Sequence, residues 1–159
     1  GVAPSDKAIF GSIKAAYKEA YVDLELENPQ LFVGIQEVLH ELMQYQLKLA
    51  ICSNKSAARL HKLIGDMGLS DCFGSIIGGD SLKFKKPSVE PLWECLRQLH
   101  AKDWSKTLLI GDSYQDYETA RRAKVDFAWV SWGKIRTTPP TADCVKLHTP
   151  NQILELITK

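Results

Sequence analysis

The sequence predicts an α/β fold whose core is a doubly wound, mainly parallel sheet of the Rossmann-like type. The first observation is that short apolar runs alternate with segments whose apolar residues recur every three or four positions. Strand and helix patterns that alternate in this way indicate right-handed crossovers, so the strands lie parallel and helices cover both faces. The second observation is that polar residues follow several of the apolar runs directly, where sheets of this kind bind their ligands.

The first half of the chain is predicted to contain three helices and two strands. Apolar side chains at helical spacing indicate helices at residues 13–21, 35–42 and 60–67. Asn28-Pro29 closes the first of these helices, and Gly68 is placed to stop the third. Unbroken apolar runs without that spacing are typical of buried parallel strands. Such runs occur at residues 47–52 and 75–79.

The second half continues the same alternation. Pro87 is predicted to open a helix whose apolar residues extend over positions 89–99. Further apolar runs predict strands at residues 107–110, 127–132 and 144–147. Helical spacing predicts the last two helices at residues 117–123 and 153–157. A loop that contains prolines, residues 137–141, separates the last two strands.

The 159 residues suffice for one domain with a proper core. With 45% hydrophobic residues, 25% charged residues and a net charge of +1, the composition indicates neither a nucleic-acid nor a membrane partner. No apolar run approaches the roughly 20 residues of a membrane span, and no signal-peptide pattern occurs. The cysteines are widely separated and lack metal-type spacing, so we expect buried free thiols and a reducing, cytoplasmic setting. They are Cys52, Cys72, Cys95 and Cys144.

Two carboxylates, Asp112 and Asp116, follow the apolar run within residues 108–116 (LLIGDSYQD). Two carboxylates held close together repel each other unless a cation lies between them, and Mg²⁺ prefers oxygen ligands. The pair therefore suits a magnesium site at a strand end. Equally, Ser113 suits the N-cap of the next helix, and Asp116 then completes a capping box. This segment alone favours neither interpretation.

Two other strand ends carry polar residues. Ser53 and Asn54 lead into a helix pattern, and a hydroxyl, an amide and free N–H groups at a helix N-terminus suit a phosphate. The simpler interpretation is that Ser53 or Ser56 is an N-cap. Lys86 lies in a basic loop, which is most simply interpreted as a solvated loop. Pro87 fixes the backbone next to Lys86, however, so this ammonium group can be aimed.

The three signals gain weight together, because each falls at the carboxyl end of a predicted strand or in the loop just after it. A hydroxyl, a lysine and a metal-binding pair of acids complement a phosphoryl group. At an effective dielectric of about 20, Lys86 at about 4 Å from a phosphate would contribute about 4 kcal/mol. The sequence therefore predicts a site for a phosphoryl group and Mg²⁺.

In this order the residues resemble the haloacid dehalogenase superfamily, most closely its phosphoglycolate-phosphatase-like branch. The matching segments are LAICSNKS (49–56), GLSDCFGSIIGGDSL (68–82), KKPSVEPL (85–92), LLIGDSYQDYETARRA (108–123) and VSWG (130–133). The resemblance implies that Ser53 and Asn54 bind phosphoryl oxygens. It implies that Lys86 offsets charge on the nucleophile and the phosphoryl group. It also implies that Asp112 binds Mg²⁺ and that Asp116 supports it.

One part of the family pattern is missing. The family's first motif, Asp-x-Asp-Gly-Thr, supplies the attacking aspartate and the general acid and base, and nothing in residues 1–30 matches it. Residues 1–27 resemble the last helix of the cap that follows the motif. The chain is therefore expected to begin inside its cap, with a cap remnant at 1–30 and a core at 31–159. The missing strand would lie between the runs at 47–52 and 107–112, leaving edges without backbone partners.

The resemblance implies a Mg²⁺-dependent phosphatase that cleaves a small phosphate monoester through an aspartyl-phosphate. The nucleophile lies outside this sequence, and Lys86 and Ser53 take part in catalysis. Two alternatives stay open: a phosphomutase or dehalogenase on the same scaffold, and a non-catalytic relative that binds phosphate or a protein. A receiver domain has its acids before its lysine, whereas here Asp112 follows Lys86. The sequence leaves the substrate's identity and the oligomeric state open.

Overall fold

The computed structural model describes residues 30–133, 141 and 144–157. The helices there are α1 (Ile35–Gln44), α2 (Ala57–Asp66), α3 (Glu90–Gln98), α4 (Tyr114–Ala123) and α5 (Gln152–Ile157). The strands are β1 (Ala50–Cys52), β2 (Ser75–Ile77), β3 (Leu108–Gly111), β4 (Asp126–Val130) and β5 (Val145–Leu147). Short 3-10 turns occur at Ser70–Cys72 and Trp104–Lys106. None of the described helices is long and apolar enough to cross a membrane.

The described strands form two parallel sheets rather than one. In the first sheet, β1 pairs with β2 and Ile51 lies opposite Ile76. In the second sheet, β4 lies between β3 and β5, and Ile110 lies opposite Ala128. Within the described part of the chain no ladder joins β1 to β3. These are the two strands between which the sequence analysis places the missing strand.

A groove of about 700 Å³ is lined by residues from both β1 and β3. Ala50 and Cys52 line it from β1, and Leu109 lines it from β3. Helix α3 contributes Leu92 and Leu96. Two strand edges that have no strand partner among the described residues thus border one largely apolar space.

Helices cover both faces of the sheet that β3, β4 and β5 form. Successive side chains of a strand point to opposite faces. On one face of β4, Ala128 packs in the main core with Val38 of α1 and Ile153 of α5. Phe127 makes an edge-on contact with Tyr117 of α4, with ring centroids 5.6 Å apart. Because α1 and α5 lie on one face and α4 on the other, the doubly wound, parallel α/β prediction is confirmed.

Three helices begin about one turn away from the predicted residue. Helix α2 begins at Ala57 rather than at Leu60. Helix α4 begins at Tyr114, one turn earlier than expected, behind the N-cap Ser113. Helix α3 begins at Glu90 rather than at Pro87. Pro91 lies in its first turn, where the missing N–H of a proline has no intrahelical partner to lose.

The segment before β1 caps helices instead of extending the strand. The prediction began this strand at Leu47, but β1 begins at Ala50. The Leu47 N–H donates to the Leu42 carbonyl at the end of α1 at 3.1 Å. The Lys48 ammonium donates to the Leu99 carbonyl at the end of α3 at 2.6 Å. Carbonyls at helix ends need such partners, and they hold this segment out of the sheet.

Some sequence predictions concern residues outside the described ones. They are the helix at 13–21, most of the loop at 137–141, and the division into a cap remnant at 1–30 and a core at 31–159. All four cysteines are free thiols, and Cys95 is buried as predicted. The prediction of burial is wrong for the other three, Cys52, Cys72 and Cys144, which are half-buried.

Candidate functional site

Three loops at the carboxyl ends of parallel strands carry the candidate site residues. Ser53 follows β1, Lys86 lies between β2 and α3, and Asp112 follows β3. The Lys86 ammonium joins these loops. It donates one hydrogen bond to the Cys52 carbonyl at the end of β1 and another to Asp116 in α4, each at 2.5 Å. Groups that the sequence placed at separate strand ends therefore lie together.

Lys86 and Asp116 form a buried ion pair. Their side chains are 10% and 8% exposed, and 2.5 Å separates Nζ from Oδ1. Removing either partner would leave a buried charge uncompensated, so each group holds the other in place. Lys83 and Lys85, in the same basic loop, are exposed. Lys86 is therefore the lysine of this loop that is aimed at the strand ends.

Asp116 uses both of its carboxylate oxygens. Oδ1 accepts from Lys86, and Oδ2 accepts from the Ser113 hydroxyl at 2.6 Å and from the Ser113 N–H at 3.1 Å. The Ser113 hydroxyl in turn accepts from the Asp116 N–H at 3.3 Å. This is the capping box that the sequence offered as the alternative to a metal site. With these partners in place, Asp116 is positioned to support a neighbouring group.

Asp112 is the first residue after β3, and it is half-buried. Its carboxylate lies against Gly133, where a Cβ atom would collide with it. Burial lowers the pKa of Lys55, and the negative charge of Asp112 partly opposes that shift. The carboxylate thus acts electrostatically on the loop after β1. A half-buried carboxylate is the hard oxygen donor that Mg²⁺ prefers, so Asp112 fits the predicted metal.

The loop after β1 is held by hydrogen bonds to its backbone. The Ser53 N–H donates to the Ile77 carbonyl at 2.9 Å, which continues the bonding between β1 and β2. The Ser53 hydroxyl accepts from the Lys55 N–H at 3.2 Å, and a hydroxyl can donate as well as accept. The Asn54 side-chain amide donates to the Lys86 carbonyl at 3.1 Å. Asn54 therefore ties this loop to the basic loop, a contact that sequence reasoning did not predict.

Asp80 is a neighbour of the site that the sequence analysis did not identify. Its Oδ1 accepts from the Ala57 N–H at the start of α2 at 2.7 Å. Ser56 occupies the N-cap position of α2, but it makes no side-chain capping bond in the described structure. Two glycines precede Asp80, and a glycine at a strand end can mark a close backbone approach. That signal could have pointed to this contact.

Two thiols lie beneath the site. A hydrogen bond from Cys95 lowers the pKa of Cys52, burial opposes this, and the positive charge of Lys86 lowers the pKa further. The same hydrogen bond and burial raise the pKa of Cys95. The Cys95 thiol also lies 3.5 Å from the Ile51 carbonyl. The positive charge of Lys86 therefore favours the thiolate form of both cysteines by lowering the pKa of each.

Comparison with known proteins gives a consistent family assignment. A family model described as haloacid dehalogenase-like hydrolase matches residues 3–130. A phosphoglycolate phosphatase from Aquifex aeolicus is 31% identical over 153 residues, covering 91% of this chain and 71% of that protein. One from Pectobacterium atrosepticum is 30% identical over 125 residues, covering 79% and 51%. One from Rhodobacter capsulatus is 34% identical over 134 residues, covering 82% and 58%. The chain thus spans little more than half of the latter two relatives.

Solved structures share the fold over most of the chain. A Lactobacillus plantarum protein proposed to be a phosphoglycolate phosphatase superposes with a TM-score of 0.77 at 27% identity, covering 98% of this chain and 72% of that one. YfnB from Bacillus subtilis, solved bound to magnesium, gives a TM-score of 0.78 at 23% identity, covering 91% and 64%. These similarities agree with the parallel, doubly wound architecture described above.

Proposed function

The chain belongs to the haloacid dehalogenase-like hydrolase family, and from this premise we propose that it forms the core of a Mg²⁺-dependent phosphatase. Its substrate is a small phosphate monoester of the phosphoglycolate kind. The observation that carries the proposal is the Lys86 ammonium, bonded both to the Cys52 carbonyl and to Asp116. One cation thereby holds a loop with a hydroxyl next to a loop with carboxylates, the groups that a transferring phosphoryl group needs.

In this proposal, the loop after β1 binds the phosphoryl oxygens. The Ser53 hydroxyl donates a hydrogen bond to one oxygen, and Asn54 contributes to the same binding site from the neighbouring position. Lys86 offsets the negative charge on the phosphoryl group and on the carboxylate that attacks it. Because the ion pair with Asp116 already fixes the ammonium, little reorganisation is needed when the substrate binds.

Asp112 would hold the Mg²⁺ ion, and Asp116 would support it from the adjacent helix. This division follows from the hydrogen bonds, since both oxygens of Asp116 are engaged by Lys86 and Ser113. When bound, Mg²⁺ supplies positive charge that stabilises the phosphoryl oxygens in the transition state. The bound magnesium in the structure of YfnB supports this part of the proposal.

The attacking carboxylate is proposed to come from a strand outside the sequence shown. The carboxylate forms an aspartyl-phosphate with release of the alcohol, and water then hydrolyses that intermediate. The groove of about 700 Å³ that β1 and β3 border supports this origin, because a parallel strand placed there would pair with both edges. Its carboxyl end would then lie between Ser53 and Asp112.

The phosphoglycolate phosphatases among the relatives support the substrate class. In this family a cap supplies most of the contacts to the leaving group, and residues 1–30 are proposed to be a remnant of that cap. We also propose a cytoplasmic setting, in line with the scattered cysteines. The expected partner is a small phosphorylated metabolite.

The test is hydrolysis of an aryl phosphate with Mg²⁺ by the chain of 159 residues, with and without an added peptide. The peptide carries an apolar strand that ends in Asp-x-Asp. We expect no turnover by the chain alone, because we assign no carboxylate among the described residues the role of nucleophile. With the peptide, turnover should appear, and Asp112→Asn should abolish it. A peptide whose two aspartates are replaced by asparagine is the matched control.

Three results would count against the proposal in different ways. Substantial turnover by the chain alone, abolished by Asp112→Asn, would mean that the nucleophile is among its own residues. Peptide binding without turnover would favour a non-catalytic binding domain. Transfer of the phosphoryl group to a second sugar hydroxyl, in place of water, would identify a phosphomutase.

A further inference from the structure

The loop after β1, residues 53–57, is held by the residues that follow β2. Where β2 ends, the Ile77 carbonyl accepts the Ser53 N–H at 2.9 Å. Two residues later, the Gly79 N–H donates to the Lys55 carbonyl at 2.7 Å. These bonds join two loops that belong to neighbouring strands. The backbone of the loop after β1 therefore takes its position from the end of β2.

Gly78 and Gly79 permit this close contact. A Cβ atom on Gly78 would collide with the backbone nitrogen of Ala57 and would lie 2.9 Å from the Lys55 carbonyl oxygen. A Cβ atom on Gly79 would collide with the Asn54 carbonyl oxygen. These obstacles are backbone atoms, which cannot turn aside as a flexible side chain can. Any side chain at either position must displace the loop.

Asp80 completes the contact. Its carboxylate accepts the Ala57 N–H at 2.7 Å, which provides α2 with a capping bond from outside its own segment. The turn that presents Asp80 is itself fixed, because the Ser81 hydroxyl accepts the Gly78 N–H at 2.9 Å. The loop after β1 is thus bonded at its first, third and last residues to the segment from Ile77 to Asp80.

We propose that Gly79 and Asp80 are positioning residues for the proposed phosphoryl-binding loop. They fix the backbone of residues 53–57, so that the Ser53 hydroxyl faces the bound phosphate. Neither residue needs to touch the phosphate itself. This inference rests on the proposed function and extends it to the segment after β2.

Substitutions that remove the charge of Asp80 distinguish a positioning role from an electrostatic one. Asp80 is a carboxylate near a proposed anion site, and like charges repel. If charge were its main effect, both Asp80→Ala and Asp80→Asn would bind phosphate more tightly than the wild type. If positioning is its role, Asp80→Ala binds phosphate more weakly, whereas Asp80→Asn keeps an oxygen that can accept the Ala57 N–H. The two roles predict opposite changes for the alanine variant.

The experiment is calorimetric titration of inorganic phosphate, with Mg²⁺ present, into the full-length natural protein that carries this sequence. Gly79→Ala and Asp80→Ala should each raise the Kd for phosphate about fivefold or more. Asp80→Asn should stay within about twofold of the wild type. Gly65→Ala is the matched control, because its Cβ atom would meet only the Ser70 hydroxyl, at 4.0 Å. This control should leave the Kd unchanged.

The outcomes separate this proposal from the one on which it rests. If the wild type does not bind phosphate, the proposed function fails and the positioning role fails with it. If the wild type binds and Asp80→Ala binds equally or more tightly, only the positioning role is overturned. The Asp80 side chain is exposed, so the Asp80→Ala variant should fold. The test therefore stands even if Gly79→Ala is too unstable to purify. An equal loss in Asp80→Asn and Asp80→Ala would also contradict the role assigned to the hydrogen bond.

Discussion

The loop after β1 and the loop after β3 end at the same edge of the fold but are held in different ways. Residues 53–57 are fixed mainly through backbone atoms and through glycines that let two chain segments touch. Residues 112–116 are fixed mainly through side chains, with a capping box and a buried ion pair. The side proposed to bind an anion is therefore built from main-chain geometry. The side proposed to bind a cation is built from charged side chains.

Lys86 contributes to both the loop after β1 and the loop after β3. Its ammonium bonds to the Cys52 carbonyl, directly before the loop after β1, and to the Asp116 carboxylate at the end of residues 112–116. The comparison therefore predicts that side-chain substitutions act most strongly at Lys86, and more strongly near β3 than near β1.

The largest effect is expected from Lys86→Ala. This change removes charge at the phosphoryl group and leaves Asp116 buried without its cation. In the proposed phosphatase, kcat should fall by about a hundredfold or more. The free energy of unfolding should fall by about 3–5 kcal/mol, as denaturant titration would measure. Lys62→Ala is the control, because the exposed Lys62–Asp66 pair contributes only about 0.3–0.5 kcal/mol. A change in kcat of less than threefold would contradict the role of Lys86.

The next largest effect is on Mg²⁺ affinity, and it should differ between Asp112 and Asp116. Asp116→Asn should weaken Mg²⁺ binding about tenfold, as expected for a group that supports a metal ligand. Asp112→Asn should weaken it further, because Asp112 is the proposed ligand itself. Isothermal titration with Mg²⁺ measures both affinities. Equal affinity in the wild type and Asp112→Asn would remove Asp112 from the metal site.

The smallest effect concerns the pH dependence of stability and Glu118, which lies in helix α4. Glu118 accepts hydrogen bonds from Arg121 and Arg122, and these bonds lower its pKa from 4.5 to about 2. A carboxyl group whose pKa is lower in the folded state stabilises the protein above pH 4.5, and this contribution is lost as the pH falls toward 2. Glu118→Gln should therefore flatten the decline in unfolding free energy between pH 4.5 and pH 2.

The control for this experiment is the same substitution at the exposed Glu37 of α1. If Glu118→Gln and Glu37→Gln behave alike, the arginine contacts of Glu118 do not affect the stability of the fold.

The sequence predicted the fold well, because its signals are local. Apolar periodicity located each described helix, and unbroken apolar runs located each described strand. The largest errors occur where tertiary contacts decide the boundary. Lys48 illustrates this point. Its position in an apolar run predicts a strand, but its ammonium caps the end of α3 at 2.6 Å. No pattern within a few residues of Lys48 reveals a partner in another helix.

The candidate site shows the same division. Clustering of the site residues followed from the rule that parallel strands end at one edge. The capping box of Ser113 and Asp116 was also visible, since its members are three residues apart. Asp80 was missed because its partner, Ala57, lies in another element. The dual role of Lys86 was missed for the same reason, since both of its partners are distant in sequence.

The division into two sheets also affects how the described part of the chain unfolds locally. Each sheet pairs strands that are neighbours in sequence, so each can form without waiting for the other. The sheet of β1 and β2 has two strands of three residues each, whereas the other sheet is built around the five-residue β4. A two-stranded sheet is marginal by itself, so local unfolding should begin there. In partly unfolded molecules, the loop after β1 that carries Ser53 would then be disordered while the loop after β3 that carries Asp112 stays folded.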